Sequence, residues 1–409
     1  MRILHVCHLF SAELEGGVQS YVSGLLEHQR AAGHQVSVLT GALSFDGPAS
    51  VDTDDYGGVP VTTILRSPGE RWSADLGSPR IGSIIDEALA AFRPDICHVH
   101  HWQGLTNDVV RRAVSHGARV VVTLHDLFTT CPLFFRIRVD TESCPSELPL
   151  GECAKCLLGG LGGVGPVELE ALLVRRHEQL QQELEAASAV TTMSVYMRER
   201  LRAVPYFRRD DIDVLPIGVM HDGIESVEPP APQPGRLRIA HWAGVAPRKG
   251  IHVLLAALGG SAHAAAFEVH IHGRAGNVEY VRELRGLQGD VDVRWRGTFV
   301  EAGALREVAS TCDLAVFPSL EEPYGLAQDE AMLLGMPVVV AAQGAPPERV
   351  GERGIVVPAD DPEALRRVLE RLLTSPEELE RLRAGAGGGR RIGEHFPELM
   401  GLYARVLKA

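Results

Sequence analysis

Two carboxylates, Glu322 and Glu330, flank a Tyr-Gly-Leu bend in EEPYGLAQDE, residues 321–330. The stretch follows the apolar run DLAVFPS and leads into AMLLGMPVVV, so it joins two segments that should be buried. Glu322 is expected on the loop at the carboxyl end of a strand, and Glu330 about one turn into the next helix. The first N–H groups of that helix, at Leu326 and Ala327, have no intrahelical partner, and Gly325 lets a ligand approach the backbone closely. Such a terminus attracts phosphate. A carboxylate beyond the phosphate can accept hydrogen bonds from ribose hydroxyls. Lys249, with Arg248 beside it in APRKG, supplies positive charge for a phosphate. Taken one residue at a time, a solvated loop followed by a helix-capping glutamate explains the same carboxylates.

A second constellation is sulfur. Four of the seven cysteines, Cys131, Cys144, Cys153 and Cys156, fall in CPLFFRIRVDTESCPSELPLGECAKC. Cys153 and Cys156 form a Cys-x2-Cys pair, whose spacing lets two thiolates reach one ion. Four thiolates on a structural zinc would staple this loop-like segment, which has little core of its own. An iron–sulfur cluster, unliganded thiols and an oxidative disulfide are the alternatives. Cys7, Cys97 and Cys312 lie in or beside apolar strands and are expected in the core. The chain has 17 histidines, but no carboxylate triad accompanies HVHH, residues 98–101, to make a catalytic metal site. His98 and His100 share one face of a strand. His100 or His101 should end that strand, lining a cleft or packed beneath it.

The elements that position these residues follow from length and pattern. At 409 residues the chain exceeds one ordinary core, so two domains are expected. A net charge of −13 argues against nucleic acid as the main partner. No apolar run approaches the roughly 20 residues that span a bilayer. The opening MRILHVCHLF has no small-residue cleavage site and reads as a first strand, consistent with a cytoplasmic enzyme. Strands RILHVC, QVSVLT, DICHVHH and ARVVVTLHD alternate with amphipathic helices. A polar stretch containing glycine and proline separates the second from the third. Alternation with continuous apolar strands argues for a parallel sheet covered on both faces. The four prolines of ESVEPPAPQPGRLR read as a linker. Beyond them the alternation restarts as a second doubly wound unit. Open α/β sheets bind ligands at the carboxyl ends of their strands, so two such units are expected to enclose a cleft there. The basic, aromatic MRERLRAVPYFRR suits an anionic membrane surface or a solvated helix and loop.

The long stretch PSLEEPYGLAQDEAMLLGMPVVVAAQGAPPE resembles the signature of the retaining glycosyltransferases of family 4, in which two glutamates are separated by seven residues. Glu322, Tyr324, Gly325, Glu330, Ala331, Gly335, Pro337 and Val338 fit it. EGGVQSYVSGLLEHQRAAGHQVSVLT, DICHVHHWQG, TLHD and VLPIGV resemble other parts of the same family, so the likeness covers nearly the whole chain. It implies a GT-B fold: an acceptor-side Rossmann-like domain over 1–224 with a Cys-rich insertion at 131–156, a nucleotide-sugar domain over 225–392, and a C-terminal helix over 393–409 crossing back to the first domain. It implies a nucleotide-diphosphate sugar donor (UDP or GDP), a small-molecule, natural-product or lipid-linked acceptor, and no cofactor for catalysis. Gly16 and Gly17 would approach the donor's phosphates. Arg248, Lys249, Gly325, Leu326 and Ala327 would hold the diphosphate. Glu330 would meet the ribose, and Gly273, Arg274, Gly297, Thr298 and Phe299 would surround the base. His125 and Glu322 would act at the transferred sugar, with His100, His101 and Trp102 on the acceptor side. Two positions depart from the family: Gly244 stands where an arginine is common, and Ile217 where an asparagine is.

Two other functions compete. A nicotinamide oxidoreductase needs Gly-x-Gly-x-x-Gly after the first strand, and HLFSAELEGGVQS lacks that spacing. A non-catalytic nucleotide-sugar-binding module would keep the fold but has no need of the glutamate pair, His125 and Lys249 together.

Overall fold

The computed structural model describes residues 1–10, 16–43, 50–67, 77–138, 144–147, 150–158, 165–220, 223–298 and 302–409. It divides into two compact units, Met1–Met220 with Ile392–Ala409, and His221–Arg391.

The first unit holds strands β1 (Arg2–His8), β2 (Gln35–Leu43), β3 (Ser50–Tyr56), β4 (Val59–Arg66), β5 (Ile96–Val99), β6 (Arg119–Leu124), β7 (Ala189–Thr192) and β8 (Ile212–Val214). Its helices are α1 (Gly17–Ala31), α2 (Pro79–Phe92), α3 (Val109–Ser115), α4 (Leu150–Leu157), α5 (Pro166–Ala186) and α6 (Val195–Arg202). The sheet order is β3-β4-β2-β1-β5-β6-β7-β8. Its central strands are buried along most of their length, which is why they read as unbroken apolar runs. Side chains such as Val6, Leu39, Val99, Val120 and Leu184 build the core between sheet and helices.

The polar stretch after the second strand is not simply a connection. Residues 50–66 form the β3–β4 hairpin, antiparallel at the edge of an otherwise parallel sheet. Gly57 and Gly58 turn it with φ of 57° and 86°, the positive values a two-residue hairpin requires. The signal was a glycine pair between β-branched runs, masked by the exposed aspartates of β3.

The second unit contains β9 (Leu237–Trp242), β10 (Phe267–His272), β11 (Asp292–Gly297), β12 (Leu314–Phe317), β13 (Val338–Ala341) and β14 (Ile355–Val357). Helices α7 (Ile251–Gly259), α8 (Val278–Leu287), α9 (Ala302–Thr311), α10 (Leu326–Leu333), α11 (Pro346–Val350), α12 (Pro362–Thr374) and α13 (Pro376–Gly385) accompany them. The order is β11-β10-β9-β12-β13-β14, all parallel. The chain reverses its winding between β9 and β12, the switch point at which this architecture places ligands. The proline-rich stretch is strapped to this unit: Val227 N donates to Leu334 O at 3.0 Å and Arg238 Nη2 to Ala231 O at 2.9 Å.

Helix α14 (Ile392–Lys408) belongs to the first unit. Leu399, Leu402, Tyr403 and Val406 are buried, as their helical spacing predicts, whereas Leu407 is exposed. Polar contacts fix the helix as well. His395 Nδ1 donates to Pro216 O at 2.9 Å, so its Nε2 accepts from Tyr21 OH at 2.7 Å. The Tyr403 hydroxyl meets His98 Nδ1 at 2.6 Å, while His98 Nε2 meets Thr123 Oγ1 at 2.7 Å. Tyr403→Phe would orphan a fully buried imidazole nitrogen and should cost about 1–3 kcal/mol. Urea unfolding checks this; an unchanged midpoint would mean that the hydroxyl does not hold the helix.

Candidate functional site

The switch point of the second unit gathers the expected donor residues. Lys249 follows β9, at the end of a short 3-10 turn, Pro247–Lys249. Glu322 follows β12 on the loop that leads to α10. The Lys249 ammonium and the Glu322 carboxylate form an ion pair, each side chain little exposed at 14% and 13%. Burial alone would raise the Glu322 pKa, but the charges of Lys249 and Arg248 and two hydrogen bonds hold it below the usual range. Burial likewise lowers Lys249, against the pull of Glu322. Both groups therefore stay charged because each has the other.

Backbone contacts clamp the two loops together. Leu320 N donates to Arg248 O at 2.8 Å, and Ala345 N donates to Glu322 O at 2.8 Å. Gly250 has φ 68°, and a Cβ there would stand 1.8 Å from Pro318 O, so only glycine lets the loops approach this closely. Gly325 caps α10 in the left-handed region. Its carbonyl accepts from Gln328 and Asp329, while Leu326 and Ala327 N–H have no backbone acceptor among the described residues.

Glu330, one turn into α10, accepts from Trp242 Nε1 at 2.7 Å. Burial pushes its pKa up to about 7, and the Trp242 hydrogen bond only partly opposes this. Next to it stands a residue that the sequence reading passed over. Asp329 is fully buried, accepts from Tyr324 OH at 2.9 Å, and takes Arg349 Nη2 on both oxygens at 3.0 and 2.9 Å. Arg349 also lies over the Tyr324 ring at 5.0 Å. Asp329 thus pins the Tyr-Gly bend to α11. The available signal was an acid pair in one helix turn, of which one member had to face inward.

The expected base-binding segments also end at this edge of the sheet. Gly273 follows β10, and its N–H donates to Gly297 O, at the end of β11, at 2.7 Å. Arg274 O accepts from Val245 N at 2.9 Å. Thr298 comes next, and Phe299 lies outside the described residues. Gly244, where the family pattern has arginine, borders open space, since an added Cβ would meet nothing within 4 Å.

In the first unit, His125 follows β6 and heads a buried chain of imidazoles. His125 Nε2 meets His100 Nδ1 at 3.0 Å, His100 Nε2 meets His5 Nδ1 at 3.0 Å, and His5 Nε2 meets Gln29 Oε1 at 2.8 Å. Burial holds all three rings neutral, lowering His5 to about 4 and His125 to about 3 and keeping His100 well below the usual value. A neutral imidazole has one N–H. With Gln29 Oε1 accepting, each Nε2–H donates in the same sense, and His125 keeps its lone pair on Nδ1. His5, His98 and His100 bring ring nitrogens within 4.8 Å of one another, but hydrogen bonds already occupy those nitrogens.

The residues expected on the acceptor side are packed at the strand end. His100, His101 and Trp102 are only 1%, 2% and 2% exposed. Trp102 donates Nε1 to the buried carboxylate of Glu183 at 3.0 Å, and His101 stacks among His8, Phe128 and Phe134. Their aromatic bodies pack the strand end. Gly16 begins α1 in extended backbone, next to Gly17. Ile217, at the other departure from the family pattern, is a buried apolar residue.

Two family profiles cover most of the chain: "Glycosyl transferases group 1" over residues 236–375 and "Glycosyl transferase 4-like domain" over residues 16–218. The chain belongs to the group 1, family 4 glycosyltransferases. Phosphatidyl-myo-inositol mannosyltransferase of Mycobacterium leprae is 29% identical over 399 residues, covering 96% of this chain and 92% of that protein. MMP alpha-(1->4)-mannosyltransferase of Mycolicibacterium hassiacum is 45% identical over 96 residues. That match covers 22% of this chain and spans less than a quarter of the relative's length, 23%. Sucrose-phosphate synthase of Thermosynechococcus elongatus shares the fold, with a TM-score of 0.68 at 19% identity over 99% of each chain. The fold is GT-B, two parallel-sheet α/β units of the family's kind.

In this glycosyltransferase the basic, aromatic segment turns its aromatic residues inward and pairs Arg208 at the surface. Phe207 is buried, Tyr206 OH donates to Thr130 O at 3.0 Å, and Arg208 pairs with Glu178 at 2.9 Å. Among the described residues no helix is long and apolar enough to cross a membrane.

The raised pKa of Glu330 has a stability consequence. Between its ordinary value of 4.5 and about 7 the folded protein holds a proton that the unfolded chain has lost. Glu330's own contribution to stability should therefore fall as pH rises through that window, by about 1.4 kcal/mol per pH unit at most, against the opposite slope from the histidines that burial keeps neutral. Glu330→Gln should remove that contribution, leaving a stability–pH slope more positive than the wild type's by up to about 1.4 kcal/mol per pH unit. Parallel wild-type and variant slopes in urea unfolding would show that Glu330 does not titrate there.

Proposed function

We propose that this chain moves a sugar from a nucleotide-diphosphate sugar, with UDP or GDP as the leaving group, to a small-molecule or lipid-linked acceptor. It does so with retention of configuration and without a catalytic metal ion. The observation that carries this reading is the Lys249–Glu322 pair beside the unpaired N–H groups of α10, with Glu330 one turn further along. A lipid or inositol-type acceptor and a mannosyl group accord with the name of the Mycobacterium leprae relative, phosphatidyl-myo-inositol mannosyltransferase.

The donor's diphosphate competes with Glu322 for Lys249. Once it does so, Lys249, Arg248 and the N–H groups of Leu326 and Ala327 stabilise the charge that grows on the leaving phosphate. Glu322 is freed to accept from hydroxyls of the transferred sugar, and Glu330 accepts from the ribose. Gly16 and Gly17 let backbone approach the phosphates. His125 offers its Nδ1 lone pair to a sugar hydroxyl. The bond from the anomeric carbon to the phosphate oxygen breaks, and its electron pair stays on the phosphate. The acceptor oxygen bonds to the same face of that carbon, and its proton goes to the leaving phosphate. In this same-face course Glu322 positions the sugar, and no covalent bond to it forms.

Lys249→Ala should weaken nucleoside diphosphate binding about 10- to 100-fold, for a charge-assisted hydrogen bond worth about 1.5–3 kcal/mol. Nucleoside binding should change little. Titration calorimetry with both ligands tests this, and equal losses would refute the diphosphate role. Glu322→Gln should retain nucleoside diphosphate binding while donor hydrolysis without acceptor falls. Undiminished hydrolysis would remove Glu322 from the chemistry, and wild-type protein that binds donor without hydrolysing or transferring it would be a binding module.

A further inference from the structure

We propose that Cys131, Cys144, Cys153 and Cys156 are the ligands of one structural metal centre, with zinc as the expected ion. The four thiols come from separate segments: the turn after His125, the irregular stretch near 144, and α4. Positions three apart on α4 put Cys153 and Cys156 on one helix face. All four line a single cavity. The rest of its wall is Pro132, Leu133, Ile137, Leu157 and Arg138, which contribute no carboxylate or imidazole. The donor set is therefore purely sulfur, the set that selects zinc or an iron–sulfur cluster.

Cysteines that serve only as core residues pack as small apolar groups without leaving space between them. Here four unpaired thiols face a shared void. Among the described residues the segment's own apolar cluster is small. Only Ala154 and Leu157 of α4 join Leu169 and Leu173 in a small buried cluster, apart from the main core of the unit. Arg136 Nη2 donates to Cys144 Sγ at 3.7 Å. Among the described residues no three of the sulfurs lie within 4.8 Å of one another, so binding must draw them inward. Cys131 and Cys144 lie outside helices and strands and can make that move. Four protein ligands leave no open coordination position, which makes the centre a staple and not a catalyst. Its effect reaches the site through Phe134, whose carbonyl accepts from Leu127 N at 2.7 Å and whose ring lies 5.4 Å from that of His101.

The test is elemental and acid-labile sulfide analysis of the full chain, purified without a metal-affinity step. About one zinc per chain is expected, following four-thiolate stoichiometry. Chelation should raise hydrogen–deuterium exchange over residues 131–158, and added zinc should restore protection. Nucleoside diphosphate binding by the second unit should be retained throughout. Cys153→Ser with Cys156→Ser should abolish the bound metal; if that variant does not fold, stripping and restoring the wild-type protein carries the test. Iron with stoichiometric sulfide would support the four-thiolate centre and replace zinc by a cluster. Metal-free wild-type protein whose exchange does not respond to added zinc or iron would overturn the proposal, whether its thiols are free or joined as disulfides.

Discussion

Lys249 and Glu322 hold each other's charge away from bulk water, and the loops around them are arranged to keep that pair in place. A buried charge without a partner costs several kcal/mol, so neither residue is stable there alone. The β9 and β12 loops are tied to each other through Leu320 and Arg248, and the β13 loop returns a hydrogen bond from Ala345 to Glu322. Asp329, Tyr324 and Arg349 fix the bend from which α10 departs. The result is a site that is charged yet internally balanced. A ligand that takes Lys249 must bring negative charge of its own, and when it does so a carboxylate is released beside it. On the proposed reading, recognition of a diphosphate and presentation of Glu322 would be one exchange.

The first unit solves the opposite problem. Its strand ends carry histidines in place of charged pairs, and burial keeps those rings neutral. Neutral imidazoles are held by hydrogen bonds alone, and the chain from Gln29 through His5 and His100 orients His125. Helix α14 completes this arrangement by supplying Tyr403 to His98 and His395 to Tyr21. The C-terminal helix therefore closes the first unit's polar interior as well as its apolar face.

Much of this is legible in the amino-acid sequence. The continuous apolar strands of both sheets announce parallel, doubly covered sheets, and the Glu322–Glu330 stretch announces a strand end followed by a helix. What escaped the sequence depends on three-dimensional pairing. Asp329 and Glu330 are adjacent acids, and only the position of Arg349 decides which becomes a structural anchor. His100, His101 and Trp102 were expected to line the acceptor side because they end a strand. His101 packs against Phe128 and Phe134, Trp102 donates to the α5 carboxylate of Glu183, and His100 hydrogen-bonds to His5 and His125, contacts that only the fold brings together. The β3–β4 hairpin was hidden because an edge strand need not bury either face.

The most direct measurement of the central claim is a crystal structure of this chain with a bound nucleoside diphosphate. The account predicts phosphate oxygens within hydrogen-bond distance of Lys249 Nζ and of the N–H groups of Leu326 and Ala327, with the Lys249–Glu322 pair opened and the ribose at Glu330. A nucleotide bound elsewhere, or bound here with that ion pair intact and its phosphates away from Lys249, would contradict it.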